Sequence, residues 1–149
     1  MITLEQVKWE VLKKYKAEDQ KCIFLSLFDG NKNLLASNGV ISTDKPLGQI
    51  IDILYNGIVA KHPETTTIVA DIVTEITPQT DVATLLGLST AENGVVIVDK
   101  WDRKSGVMIP GTTGIADMKT ALSKIKEKYG LAGDVEMYTF RTDKIAITK

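Results

Sequence analysis

The sequence predicts an α+β fold, in which about three main helices accompany a mainly antiparallel sheet. Two apolar or alternating segments are each followed by turn residues and a return segment, which predicts two hairpins. Other segments carry apolar residues at helical spacing. One further strand has carboxylates on one of its faces, as antiparallel sheets with a solvated side do. We therefore expect residues 1–149 to form a single domain with one core, with room for a small second lobe.

Two helices are predicted in the first half of the chain. Thr3 and Gln6 have the spacing of a capping box, and apolar residues at helical spacing follow to about Lys16. The clearest apolar stripe of the sequence lies at residues 47–58. That second helix should end before Pro63, because proline disfavours helical backbone in the residue that precedes it.

The first hairpin is predicted between these two helices. Residues 22–28 are almost wholly apolar, which indicates a buried strand, and residues 29–33 have turn chemistry. Residues 34–42 form the return strand. Within it, Asn38 and Gly39 predict a bulge or a close approach of another part of the backbone.

The second half of the chain continues with strands and a third main helix. Residues 66–77 alternate and predict a strand that Pro78 ends, with Asp71 and Glu75 on a solvated face. A short helix, the second hairpin, the third helix and two last strands follow at residues 81–88, 95–101 with 107–109, 115–129, 135–140 and 144–148. Gly130 suits a left-handed cap at the end of the third helix.

The composition argues against several classes of function. The formal net charge is −1 and no basic cluster occurs, whereas nucleic-acid affinity depends on clustered Lys and Arg. One cysteine cannot build a Cys-rich zinc site, and a site based on the single histidine would need three or more carboxylates to converge. We therefore expect neither a metal nor a cofactor. The chain has no apolar run of about 18 residues and no secretory signal pattern. We expect no nucleic acid, no membrane and a cytoplasmic location.

Isolated reactive side chains are better explained by structure than by chemistry. Cys22 begins an apolar strand, and a free cysteine is among the most buried residue types. His62 follows a helix, where a surface or capping role is favoured over that of a general base. The Gly-rich loop 111–114 meets no nucleotide-binding pattern. A solvated turn explains Asp99, Asp102 and Arg103 at the tip of the second hairpin, and Trp9 lies off its helix stripe, either exposed or under a loop.

Several segments together resemble the AMMECR family. The similar segments are FLSLFDGNKNLL at 24–35, KPLGQIIDI at 45–53, EITPQTD at 75–81, NGVVIV at 93–98, RKSGVMIPG at 103–111, KEKYGLAGD at 126–134 and MYTF at 137–140. The resemblance covers most of the chain and implies an α+β fold with an antiparallel sheet and a smaller lobe. Bacterial and archaeal members of that family accompany radical-SAM and Memo-type proteins, which the resemblance implies as partners.

One departure from the family pattern decides the functional expectation. The family's L-R-G-C-I-G motif corresponds here to residues 35–40, which contain neither Arg nor Cys. We therefore expect a non-catalytic or degenerate AMMECR-like module that binds a protein partner or a small ligand near Ser37, Asn38 and Gly39, with His62 nearby. The alternative is an enzyme in which Ser37, Asn38 and His62 replace the motif, which needs His62 within hydrogen-bond reach of Ser37. A third interpretation, a domain that pairs with its own copy, predicts a homodimer.

Overall fold

A computed structural model describes residues 1–41, 43–101, 104–112, 114–131 and 134–149. Within them lie four α-helices, a short 3-10 helix at Val59–Lys61 and six strands. The helices are α1 (Leu4–Leu12), α2 (Leu47–Gly57), α3 (Val82–Leu86) and α4 (Met118–Tyr129). The strands are β1 (Ile23–Phe28), β2 (Leu34–Gly39), β3 (Thr67–Gln79), β4 (Gly94–Asp99), β5 (Ser105–Met108) and β6 (Val135–Thr148).

The strands form one six-stranded sheet in the order β2-β1-β3-β6-β4-β5. β1 pairs antiparallel with β2 and with β3, and β4 pairs antiparallel with β5 and with β6. The predicted α+β class and both predicted hairpins, β1–β2 and β4–β5, are therefore confirmed. β2 and β5 are the two edge strands of this order.

The chain divides into two compact units. Unit 1 comprises Met1–Val73 and Asp143–Lys149, and unit 2 comprises Thr74–Thr142. The core of unit 1 is built from the residues of α1, α2, β1 and β3 that recur with helical or alternating spacing. Its fully buried members include Val7, Val11, Ile23, Leu25, Leu27, Leu47, Ile51, Ile68, Ala70 and Ile72. Burial of one such large side chain stabilises the fold by about 1.5–3 kcal/mol.

The core of unit 2 lies between α4 and the sheet. Met118 and Ile125 of α4 belong to the same buried cluster as Val95 and Ile97 of β4. The Asp117 side chain accepts the backbone N–H of Thr120 at 2.8 Å and so caps the first turn of α4. The helix ends at Gly130, whose φ of +67° is the predicted left-handed cap.

Several predicted boundaries are wrong; β2 ends at Gly39 rather than at residue 42, and α4 begins at Met118 rather than at residue 115. α1 ends at Leu12 rather than near Lys16, and turns continue the chain from there. β3 passes through Pro78 to Gln79, so this proline does not end the strand. The two predicted last strands are one continuous strand, β6. Asp99, predicted in a solvated turn, is instead buried at the end of β4, where its Oδ1 accepts the Trp101 N–H at 2.8 Å. The predicted turn residues 102 and 103, and residue 113 of the Gly-rich loop, lie outside the described residues.

The ionisation of Tyr15 makes the stability of unit 1 fall with pH in the alkaline range. Its hydroxyl donates to Asp143 Oδ2 at 2.8 Å, and burial together with this carboxylate raises the pKa of Tyr15 to about 12. Because the unfolded pKa lies near 10, the phenol stabilises the fold fully below about pH 10 and loses that contribution as pH rises through 12. We expect the urea midpoint to fall more steeply over this interval in the wild type than in Tyr15→Phe. Equal slopes in the two proteins would contradict the assignment.

Candidate functional site

Three of the four residues predicted for the site lie on the edge strand β2. Ser37 is paired with Ser26 of β1, Asn38 with Leu25, and Gly39 with Phe24. The side chains of Ser37 and Asn38 are exposed. The Ser37 and Ser26 hydroxyl oxygens are 3.4 Å apart, so either can donate to the other across the strand pair.

The hydrogen-bond pattern shows which backbone groups of β2 point away from the sheet. Val40 N–H donates to the Ile23 carbonyl at 3.0 Å, directly beyond the end of β2. Because hydrogen-bonded pairs alternate along antiparallel strands, Asn38 directs its backbone groups to β1 and its neighbours Ser37 and Gly39 direct theirs outward. The outward N–H of Gly39 donates to the side-chain oxygen of Asn38 at 2.8 Å. The Asn38 amide thus covers one backbone donor of the edge.

The backbone of β1 lies very close to Gly39, as the glycine in this strand predicts. A Cβ built on Gly39 falls onto the Phe24 ring, 2.5 Å from the Ile23 carbonyl oxygen and 2.6 Å from Phe24 Cα. Two of these three obstacles are backbone atoms of the neighbouring strand, which cannot swing aside. The absence of a side chain at Gly39 is therefore a packing requirement of the β1–β2 pair.

His62 lies in the connection that leads into β3. Its Nδ1 is 3.0 Å from Glu64 Oε1, and its carbonyl accepts the Thr65 hydroxyl at 2.7 Å. The Glu64 carboxylate accepts a hydrogen bond from the Glu64 backbone N–H, which lowers the pKa of this carboxyl group. The hydrogen bond with His62 lowers the pKa of Glu64 further. Thr66 N–H donates to the Phe28 carbonyl at 2.9 Å, which places this segment beside the turn end of β1.

The structure does not bring His62 to the residues on β2. β1 lies between β2 and β3 in the sheet, so His62 leads into the strand on the far side of β1. Among the hydrogen bonds of the described residues, Ser37 is joined to Ser26 and His62 to Glu64, with none between Ser37 and His62. The arrangement can present backbone and side-chain polar groups to a partner.

A buried ion pair lies on the sheet face of unit 1 opposite the helices. Asp71 of β3 is paired with Phe24 and is fully buried, and its Oδ1 is 2.6 Å from Lys144 Nζ. The predicted solvated position of Asp71 is wrong, because its neighbours Phe24 and Val73 on that face are buried too. The sequence contains one signal for the burial of Asp71, namely its position inside the apolar run IVADIV. No signal in the sequence identifies Lys144 as the partner of Asp71.

Two other side chains singled out in the sequence, Cys22 and Trp9, are a half-buried thiol and an exposed indole ring. Burial raises the pKa of the half-buried Cys22 thiol, which disfavours the nucleophilic thiolate. Trp9 is 68% exposed, with Lys13 Nζ 5.7 Å from its ring centre. Over the described ranges, no three His, Cys, Asp or Glu side chains converge as metal ligands. In that same part of the chain, every helix is too short or too polar to cross a membrane.

Comparison with known proteins adds evidence on the fold. No protein-family model and no curated protein sequence matches the chain. The crystal structure of the uncharacterized protein PH0010 from Pyrococcus horikoshii is similar, with a TM-score of 0.73 at 14% sequence identity. The match covers 97% of this chain and 88% of that chain. At this identity the similarity supports a shared fold.

Proposed function

We propose that the chain is a non-catalytic binding module that takes up an extended segment of a protein partner along the edge of β2. The observation that carries this proposal is the pair of outward-facing residues Ser37 and Gly39 on an edge strand. Such residues offer a row of N–H and C=O groups to which another strand can add. Asn38 covers the Gly39 N–H with a single side-chain hydrogen bond that a partner strand can replace.

The composition of β2 supports the same proposal. Its sequence, LLASNG, contains no charged residue and no proline, which are the usual means of blocking edge pairing. The other edge strand, β5, has only four residues. β2 is therefore the longer of the two edges of the described sheet.

The family assignment belongs to this proposal as well. The segments quoted above support a divergent, short AMMECR-like domain without the Arg–Cys motif. A cytoplasmic location, expected from the sequence, is part of the proposal. Radical-SAM and Memo-type proteins are then the partners to test first. No observation favours the enzyme alternative with Ser37, Asn38 and His62, which stays a prediction, as does a small ligand at the same residues.

Selection of random peptides on the immobilised protein tests the proposal. We expect enriched peptides to bind in extended form and to shift the amide NMR signals of Ser37 and Gly39. Ser37→Pro removes an outward N–H without touching the ladder to β1 and should abolish binding. His62→Ala, on the far side of β1, is the matched control and should bind as the wild type does.

Asn38→Ala separates strand addition from recognition by side chains. If the partner pairs with the edge, removal of the competing amide frees the Gly39 N–H and binding becomes roughly three- to tenfold tighter. If the partner recognises the Asn38 side chain, binding weakens. Equal binding of the selected peptides to the wild type and Ser37→Pro, or no enrichment at all, would overturn the proposal.

A further inference from the structure

Unit 2 contains an open polar cleft, remote in sequence from the residues of β2. Its volume is about 200 Å³, and its lining includes Glu75 and Gln79 of β3, Thr139 and Arg141 of β6, and Asn93 before β4. Pockets for drug-sized apolar ligands measure about 300–1,000 Å³. A small polar molecule suits the cleft better.

Charged groups of both signs line this cleft. Glu75 contributes a carboxylate and Arg141 a guanidinium. Arg141 Nη2 is 3.1 Å from Glu92 Oε2, but the two side chains are 52% and 69% exposed. Solvent and salt weaken such an exposed pair, so a ligand carboxylate can take the place of Glu92 at little cost. A guanidinium binds a carboxylate through two parallel hydrogen bonds, which also fixes the orientation of the ligand.

Two side-chain amides in the lining are held by hydrogen bonds. Gln79 Nε2 donates to the hydroxyl of Thr139 at 2.9 Å, and Thr139 is only 4% exposed. Asn93 Nδ2 donates to the Ser89 carbonyl at 3.0 Å. One N–H of each amide is engaged in this way, which holds the amide in place, and its carbonyl oxygen can accept a hydrogen bond from a ligand. Acceptors beside the Glu75 carboxylate suit a positively charged N–H donor.

We propose that the cleft binds a small dipolar molecule with one carboxylate and one ammonium group, of the size of a free amino acid. Arg141 pairs with the carboxylate. Glu75 holds the ammonium, together with the amide oxygens of Gln79 and Asn93. This site lies entirely in unit 2 and does not depend on the edge of β2.

Titration with L-alanine and L-glutamine, followed in two-dimensional amide NMR spectra, tests the proposal. We expect saturable shifts that include the side-chain amides of Gln79 and Asn93. Propionate and ethylamine each carry one of the two charges and should bind at least roughly tenfold more weakly than L-alanine. Arg141→Gln and Glu75→Gln, both at exposed positions, should each weaken amino-acid binding by a similar factor.

Glu136→Gln is the matched control, because Glu136 lies on β6 outside the cleft and faces away from Arg141. This variant should bind both amino acids as the wild type does, and melting curves should show all three variants folded. The proposal would be overturned if neither L-alanine nor L-glutamine gave a saturable shift with the wild type. Equal binding of propionate and L-alanine, or binding unchanged in both Arg141→Gln and Glu75→Gln, would overturn it too.

Discussion

Gly39→Ala is expected to lower the free energy of unfolding by about 3 kcal/mol, the upper part of the usual range for overpacking. The new methyl group would meet the Ile23 carbonyl oxygen at 2.5 Å and Phe24 Cα at 2.6 Å, as well as the Phe24 ring. The ring can rotate away, but the two backbone atoms belong to β1, which is held between β2 and β3. Relief therefore requires the strands to separate locally, with loss of cross-strand hydrogen bonds. Urea unfolding monitored by circular dichroism measures the change.

Gly57→Ala is the control for this prediction. Gly57 is in the last turn of α2, and a Cβ built there has no atom within 4 Å. Alanine replaces glycine in a helix with a gain of roughly 0.5–1 kcal/mol, so this variant should be more stable than the wild type. The combination Gly39→Ala with Phe24→Leu should recover little stability, because it relieves the ring contact alone. Full recovery of stability in the double variant, or a Gly39→Ala protein as stable as the wild type, would contradict the prediction. Either result would show that the β1 backbone moves to accommodate the methyl group at little cost.

The prediction for Gly39 also illustrates which features the sequence can predict. Features set by residues near one another in the chain were predicted correctly, such as the apolar stripe of α2, the left-handed cap at Gly130 and the pairing of both hairpins. The close approach at Gly39 follows from glycine in a strand, a local signal too. In each case the neighbours that determine the conformation are visible in the sequence.

Features set by distant residues were not predicted. The position of β3 beside β1, on the side away from β2, separates His62 from Ser37, and no local pattern encodes strand order. Glu75, Gln79, Thr139 and Arg141 meet because β3 and β6, far apart in the chain, are neighbours. Alternation in β3 correctly predicted that Asp71 and Ile72 lie on opposite faces of the sheet. Alternation does not show whether other residues bury the face that carries Asp71. Burial of Asp71 depends on that covering and on Lys144, more than seventy residues away.

Lys144→Met is the second substitution with a large expected effect, about 2–3 kcal/mol of lost stability. Asp71 is fully buried, and the substitution removes a cation 2.6 Å from its Oδ1. Removal of one partner from a fully buried pair costs about 3–5 kcal/mol, because the remaining charge keeps its desolvation penalty. The Lys144 side chain is 44% exposed, so water already screens part of this attraction and the expected loss is smaller.

A neighbouring ion pair provides the control, and a double substitution isolates the interaction itself. Lys14 Nζ is 3.6 Å from Asp143 Oδ2 with its side chain 60% exposed, so Lys14→Met should cost no more than about 1 kcal/mol. Asp71→Asn combined with Lys144→Met leaves a neutral pair, and it should lose less stability than the two single changes summed. Strict additivity in urea unfolding would mean that Asp71 and Lys144 do not interact. A Lys144→Met protein as stable as Lys14→Met would mean that other neighbours alone satisfy the buried carboxylate.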